Sequence, residues 1–271
     1  MNDSLQPYEV YAIRYARHDQ RRTSENFIGG VPDPHDDPLM PLDFFVWAIR
    51  GPNGTFVVDS GFDEAMATRR QRKILCPVGE GLRKIGIDPA TVENVLITHL
   101  HYDHAGNNDL FPKARYHLQD KEMQYSTGRC MCHAPMRHAY AVEDVTAMVR
   151  KVFDGRVQFH DGVSEVAPGI TVHHVGGHTM GLQVVRVWTR RGWMVLASDA
   201  SHYYANMEQS RPFPIVYNVA DMLEGHRFAH RLASAPANVI PGHDPLVLER
   251  YAPPREDLKG IVARLDAEPR F

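Results

Sequence analysis

The chain is expected to fold as a layered α/β protein, and three observations carry that expectation. Apolar, β-branched runs recur along its length, they fall into two β-rich halves separated by helical stretches, and several of them stop at a histidine or an aspartate. With 43% hydrophobic and 23% charged residues among 271, the composition is that of a packed chain rather than a disordered one. A net charge of -3 gives no general attraction to nucleic acid or anionic lipid, which disfavours both as partners.

The elements follow in order. "YEVYAIRYARH" (8–18) alternates as a strand does. "DQRRTSENFIGGVPDPHDDPLMP" (19–41) is rich in Pro, Asp and Gly without a period, a loop of the length that usually serves function. "DFFVWAIRG" (43–51) and "GTFVVDSG" (54–61) read as a hairpin around "GPNG". The stretch 63–87 has helical character that Pro77 and its glycines break, and its "RRQRK" (69–73) reads as a solvated helix face. "ENVLITHLH" (93–101) is a buried strand ending in histidines, "ARYHLQDKEMQYS" (114–126) a strand leading into a helix, and "AVEDVTAMVRKVF" (141–153) an amphipathic helix. The second half supplies strands in "VQFHDG", "EVAPGITVHHVGG", "LQVVRVWT" and "GWMVLASDASH", a helix over 219–235, and a last strand in "ANVIPGHD". No repeat, low-complexity tract or linker interrupts the series, so a single domain over 1–271 is expected.

The opening "MNDSLQPYEVYAIRYARH" has no apolar run suited to an export leader, and no stretch approaches the ~18 apolar residues that span a bilayer. Cys76, Cys130 and Cys132 are odd in number, which excludes a full disulfide framework and fits reduced thiols in a cytoplasm.

Metal chemistry is where the sequence is most specific. "THLHYDHAG" (98–106) crowds His99, His101, Asp103 and His104 together at the end of a strand. His99 and His101 are two apart, so on extended backbone they lean to one side; Asp103 and His104 follow where the chain must turn and aim at a second point. Neither set closes a site alone. His178 in "GGHTMG", Asp199 in "LASD" and His243 in "IPGHD" also stand at strand ends, and Gly176, Gly177 and Gly242 permit the tight turns that convergence requires. The 16 histidines fit such a site. Cys130, Cys132, His133 and His138 lack the paired spacing of a further zinc site, and His173 and His174 read as a strand flank.

"HLHYDH" followed by His178, Asp199 and His243 resembles the H-x-H-x-D-H signature and ligand order of the metallo-β-lactamase superfamily, over roughly residues 40–250. The resemblance implies a four-layer αβ/βα sandwich with a two-metal site at one edge of its β layers. It implies that His99, His101 and His178 hold one divalent ion, that Asp103, His104 and His243 hold the other, and that Asp199 bridges them. Asp59 in "VVDSG" matches an aspartate lying beneath the metal loop, and zinc is the expected occupant.

Details of the ligand set narrow the branch. The flavodiiron relatives carry Glu where this chain has His101, the commonest zinc β-lactamases carry Cys where Asp199 stands, and the RNA-processing relatives bring a basic arm that is not seen here. Length, the long segment before residue 43, and "GGHTMGLQVV" followed by "ASDASHYYANM" are similar to the N-acyl homoserine lactonase branch. That likeness implies a lactone ring-opening hydrolase, with a homodimer as its assembly. A glyoxalase-II-like thioesterase and a small γ-lactone hydrolase are the alternatives. Lactonases of this branch place a tyrosine three residues after the bridging aspartate; here His202 stands there, followed by Tyr203. Either His202 or Tyr203 is then the partner of the substrate carbonyl, with Asp103 or Asp199 assisting proton movement. "ENFIGG" (25–30) and "YSTGRCMCHAPMRHAY" (125–140) are the segments suited to wall an acyl pocket.

Overall fold

The computed structural model describes residues 5–271; the first four residues of the opening stretch, on which the absence of a leader was partly read, lie outside the described residues. Two sheets form the centre. The first contains β1 (Glu9–His18), β2 (Leu42–Gly51), β3 (Gly54–Val58), β4 (Lys73–Ile74), β5 (Asn94–Leu96), β6 (Arg115–Gln119) and β7 (Val157–His160), closed at one edge by β13 (Val262–Arg264). Its order is β13-β1-β2-β3-β5-β6-β7, with β4 paired to β1. The second sheet contains β8 (Val163–Ala167), β9 (Ile170–His174), β10 (Gln183–Thr189), β11 (Gly192–Ser198) and β12 (Val239–Pro241), in the order β12-β11-β10-β9-β8.

Strand alternation explains why the first sheet is apolar on both faces. Phe45, Trp47 and Ile49 of β2, with Phe56 and Val58 of β3, point inward to meet Val172, Val185 and Val187 of the second sheet. Their neighbours Phe44, Val46 and Val57 point the other way and pack with Leu82, Val145 and Met148 from helices on the outer face. The helix Val219–Leu232 covers the second sheet and buries Met222 and Ala229. Four layers result, helix–sheet–sheet–helix, as the family resemblance implied.

The stretch 63–87 is more divided than a broken helix. It forms a helix Glu64–Arg70, then β4, then a second helix Val78–Lys84. Gln71 takes the left-handed conformation (φ 55°) that stops the first helix, and Pro77 caps the next. Among the described residues no helix is long and apolar enough to cross a membrane.

The sheets are stitched where the site forms. Gln183 on β10 donates its backbone N–H to Thr98 O (3.0 Å) and its amide to Ile97 O (2.8 Å), while Thr98 Oγ1 and Ser198 Oγ are 2.9 Å apart. The chain segments following β5, β9, β11 and β12 therefore meet at one edge of the two sheets.

Candidate metal centre

All seven predicted ligands come together there. His99 and His101 follow β5, Asp103 and His104 sit on the short helix Tyr102–Ala105, His178 follows β9, and Asp199 and His243 follow β11 and β12. Each is less than one tenth exposed. His99 Nε2, His101 Nδ1 and His178 Nε2 lie 3.0, 3.2 and 2.9 Å from one another. Asp103, His104 and His243 form a second group, and Asp199 stands between the two. Its Oδ1 faces His243 Nε2 (3.0 Å) and His104 Nε2 (3.3 Å), and its Oδ2 faces His178 Nε2 (3.2 Å).

Hydrogen bonds at the back of each ring decide what its front presents. His178 Nδ1 donates to Ile215 O (2.6 Å), and His243 Nδ1 donates to Asp43 O (2.8 Å), because a carbonyl can only accept. Asp59 accepts from the N–H and hydroxyl of Thr98 (2.7 and 2.9 Å), and His104 Nδ1 donates to it at 2.7 Å. The Nε2 atoms of His104, His178 and His243 are thus left as lone pairs aimed into the cluster, and His104 Nε2 is buried without a hydrogen-bond partner.

Lone pairs facing carboxylate oxygens repel unless a positive charge lies between them. The titration behaviour expresses the same demand. Burial holds His99 and His101 well below the usual imidazole range, with neighbouring imidazoles adding to it. Burial also opposes charge on His104, but Asp199, Asp103 and Asp59 outweigh it and drive that ring upward. Burial would raise Asp103 and Asp199, yet the imidazoles around them hold both low. A buried site with ionised carboxylates and converging imidazole nitrogens fits divalent cations of the zinc type.

Backbone geometry is matched to this convergence. Gly177 has φ 84°, and a Cβ there would lie 2.6 Å from Met222 Cα. A Cβ at Gly242 would lie 2.7 Å from Ser198 O and 2.8 Å from Asp199 Oδ1. No other residue fits either place without displacing a ligand loop.

Sequence reading missed Glu122. Fully buried, it accepts from Leu100 N (2.9 Å) and Tyr140 Oη (2.8 Å) on one oxygen, and from Thr179 Oγ1 (2.6 Å) and Gly181 N (3.2 Å) on the other. Leu100 lies between His99 and His101, Thr179 adjoins His178, and Tyr140 packs edge-on against His101 at 4.5 Å. One carboxylate therefore ties two ligand loops together. Its only sequence signal was an acidic residue at the start of a helix that reads as a solvated first turn.

The two candidates for the carbonyl partner part company. His202 lines the cavity over the cluster, lies 2.9 Å from Asp199 Oδ2 through Nε2, and stacks on Phe213 at 3.4 Å. Tyr203 points elsewhere: its hydroxyl donates to the carbonyls of Met40 and Pro41, each at 3.1 Å. The cavity holds ≈ 210 Å³, and a larger groove of ≈ 690 Å³ adjoins it through Arg70 and His138. Segment 125–140 walls that groove through Ser126, Met131 and Tyr140. From segment 25–30, Glu25 reaches the smaller cavity while Phe27 is buried under Arg211. "RRQRK" departs from a solvated face: Arg70 and Arg72 line the cavity, because the left-handed turn at Gln71 redirects the chain between them.

Comparisons with known proteins agree with this geometry. Residues 41–243 match the family model described as the metallo-beta-lactamase superfamily. An N-acyl homoserine lactonase of Bacillus cereus is 26% identical over 191 residues, covering 65% of this chain and 70% of that protein. The N-acyl homoserine lactonase AiiB of Agrobacterium fabrum is 30% identical over 135 residues, 48% of each. Among solved structures, a quorum-quenching N-acyl homoserine lactone lactonase superposes with a TM-score of 0.72 at 22% identity, covering 89% of this chain and 93% of that one. A probable metal-dependent hydrolase from Staphylococcus aureus gives 0.71 at 14% identity over 98% and 97%. At those identities the structural likeness establishes the fold.

Proposed function

The chain belongs to the metallo-beta-lactamase superfamily, and from that premise we propose that it is a metal-dependent hydrolase that opens lactone rings, N-acyl homoserine lactones first among them. The reading is supported by the curated relatives, which are N-acyl homoserine lactonases. The observation that carries the metal dependence is the set of imidazole lone pairs facing the two oxygens of Asp199. On such substrates the activity is quorum quenching, since the opened ring is a different molecule from the signal. The whole chain acts as one domain, and three unpaired thiols suit a cytoplasmic setting.

His99, His101 and His178 would hold one ion and Asp103, His104 and His243 the other, with Asp199 placed between the two sets; zinc is the proposed metal. When bound, such a pair lowers the pKa of a shared water and polarises the carbonyl under attack. His202 stands over the cluster with its Nε2–H on Asp199 Oδ2 and its ring held by stacking on Phe213, and it shares that N–H with the carbonyl oxygen as negative charge develops there. Asp103 lines the cavity and relays the proton to the leaving ring oxygen. Tyr203, with its hydroxyl bound to two carbonyls, holds the segment before β2 rather than substrate. The product is an open-chain hydroxy acid.

A pH-stat panel of acyl homoserine lactones, simple γ-lactones and thioesters tests the reading. Lactones are expected to give the highest kcat/KM. A thioester preferred by orders of magnitude would replace this reading with the glyoxalase-II-like alternative.

A further inference from the structure

The cavity above the cluster has a basic wall that a neutral acyl lactone does not explain. Arg21, Arg70 and Arg72 all line it. Among the described residues, none of the three has a carboxylate at ion-pair distance, unlike Arg14 on Asp43 and Arg264 on Glu9. Instead they are held by neutral groups. Arg72 Nε donates to Tyr102 Oη (3.3 Å), and the Arg70 guanidinium lies 4.5 Å over the same ring. Arg70 Nη2 donates to Tyr140 O (3.3 Å), and its Nε is buried with no partner. Arg21, itself buried, bonds the side chain of Asn26 and Glu25 O (2.8 Å). Outside the ligand cluster the one acid lining the cavity is Glu25, and its carboxylate accepts from Arg22 N (2.7 Å).

Three uncompensated guanidinium groups around one small cleft repel one another and focus a positive field into it. His18, on the same wall, registers that field: burial, then Arg72 and Arg21, push its imidazole down to about 4. A planar guanidinium with free N–H groups matches a carboxylate, which it can meet with two parallel hydrogen bonds. We infer that the lactone opened by this site carries a carboxylate, bound by Arg21, Arg70 and Arg72 beside the metal-ligand cluster. This rests on the lactonase reading and adds to it the charge of the substrate. The groove beyond Arg70, where Met131, Val142 and Val145 stand beside Arg69 and Arg137, then takes what extends past the anionic group.

A matched pair tests it: N-succinyl homoserine lactone against N-butanoyl homoserine lactone, which share the ring and chain length and differ in the terminal charge. The metal-loaded enzyme is expected to favour the succinyl compound by about 10-fold or more in kcat/KM, chiefly through KM. The preference should shrink as salt is raised from roughly 0.05 to 0.5 M. Arg70→Gln and Arg72→Gln should bring the ratio of the two substrates toward one. Equal turnover of the pair, or preference for the butanoyl member, overturns the inference while leaving the lactonase reading intact.

If neither lactone reacts, the lactonase reading fails, and the charge question is answered by calorimetric titration with glutarate. Binding weakened about 10-fold or more in Arg70→Gln/Arg72→Gln supports an anion-binding wall. Equal binding by the wild type and the double variant overturns it.

Discussion

At the scale of single residues, His202 and Tyr203 are neighbours with different tasks. His202→Phe should retain the stack on Phe213 and the metal-ligand cluster but lose the donor, lowering kcat on a lactone by about 10²-fold. Tyr203→Phe removes only two contacts to backbone carbonyls. It should cost about 1 kcal/mol of stability and change kcat by less than about 3-fold. Turnover of the two variants side by side separates the roles, and the reverse ranking would place the tyrosine at the substrate. Asp144 makes a different prediction. Burial, with the nearby charges of Glu143 and Asp63, raises its carboxyl to about 7, and Oδ2 has no partner. A folded-state value above the unfolded one means that stability is lost as pH rises from about 4 through 7. Asp144→Asn mimics the protonated form, so it should raise Tm at pH 8 and have a diminishing effect as pH falls toward 5. A constant difference across that range would contradict the assignment.

At the scale of elements, the loops that carry the candidate ligands are held by groups that do not themselves face the cluster. Glu122, at the start of the helix Asp120–Thr127, joins the loop after β5 to the loop after β9. Glu122→Gln keeps the shape but turns an NH₂ toward groups that themselves donate. It should lower metal affinity about 10- to 100-fold in a chelator competition and reduce stability by about 1–3 kcal/mol. Full metal retention would remove Glu122 from the positioning role. This contact also marks where reading the sequence stops. The strands that end in ligands were legible because apolar runs terminate at His99, Asp199 and His243. The glycines before them were legible because close approach admits no side chain. Glu122 was not, because an acidic first-turn residue is ordinary, and only the packing of two distant loops turns it inward. Arg70 and Arg72 escaped for a related reason: a left-handed residue between them, Gln71, leaves no mark in the local pattern.

At the scale of the whole molecule, two sheets form an apolar interior and leave their strand ends at one edge. The alternation of Phe44, Phe45, Val46 and Trp47 between the two cores shows why β2 reads as a continuous apolar run and still has two distinct faces. The four-layer order required the family resemblance, since a run buried on both sides looks alike in many α/β folds. Within this frame, seven side chains from four separate segments of the chain converge so that their lone pairs and carboxylates cannot coexist without positive charge between them. Metal stoichiometry of the purified chain, measured by elemental analysis against protein concentration, addresses that claim most directly. About two divalent ions per chain are expected, lost together with lactone turnover on chelation and recovered with it on adding zinc. A chain that binds one ion or none, and hydrolyses lactones equally well after chelation, would contradict it.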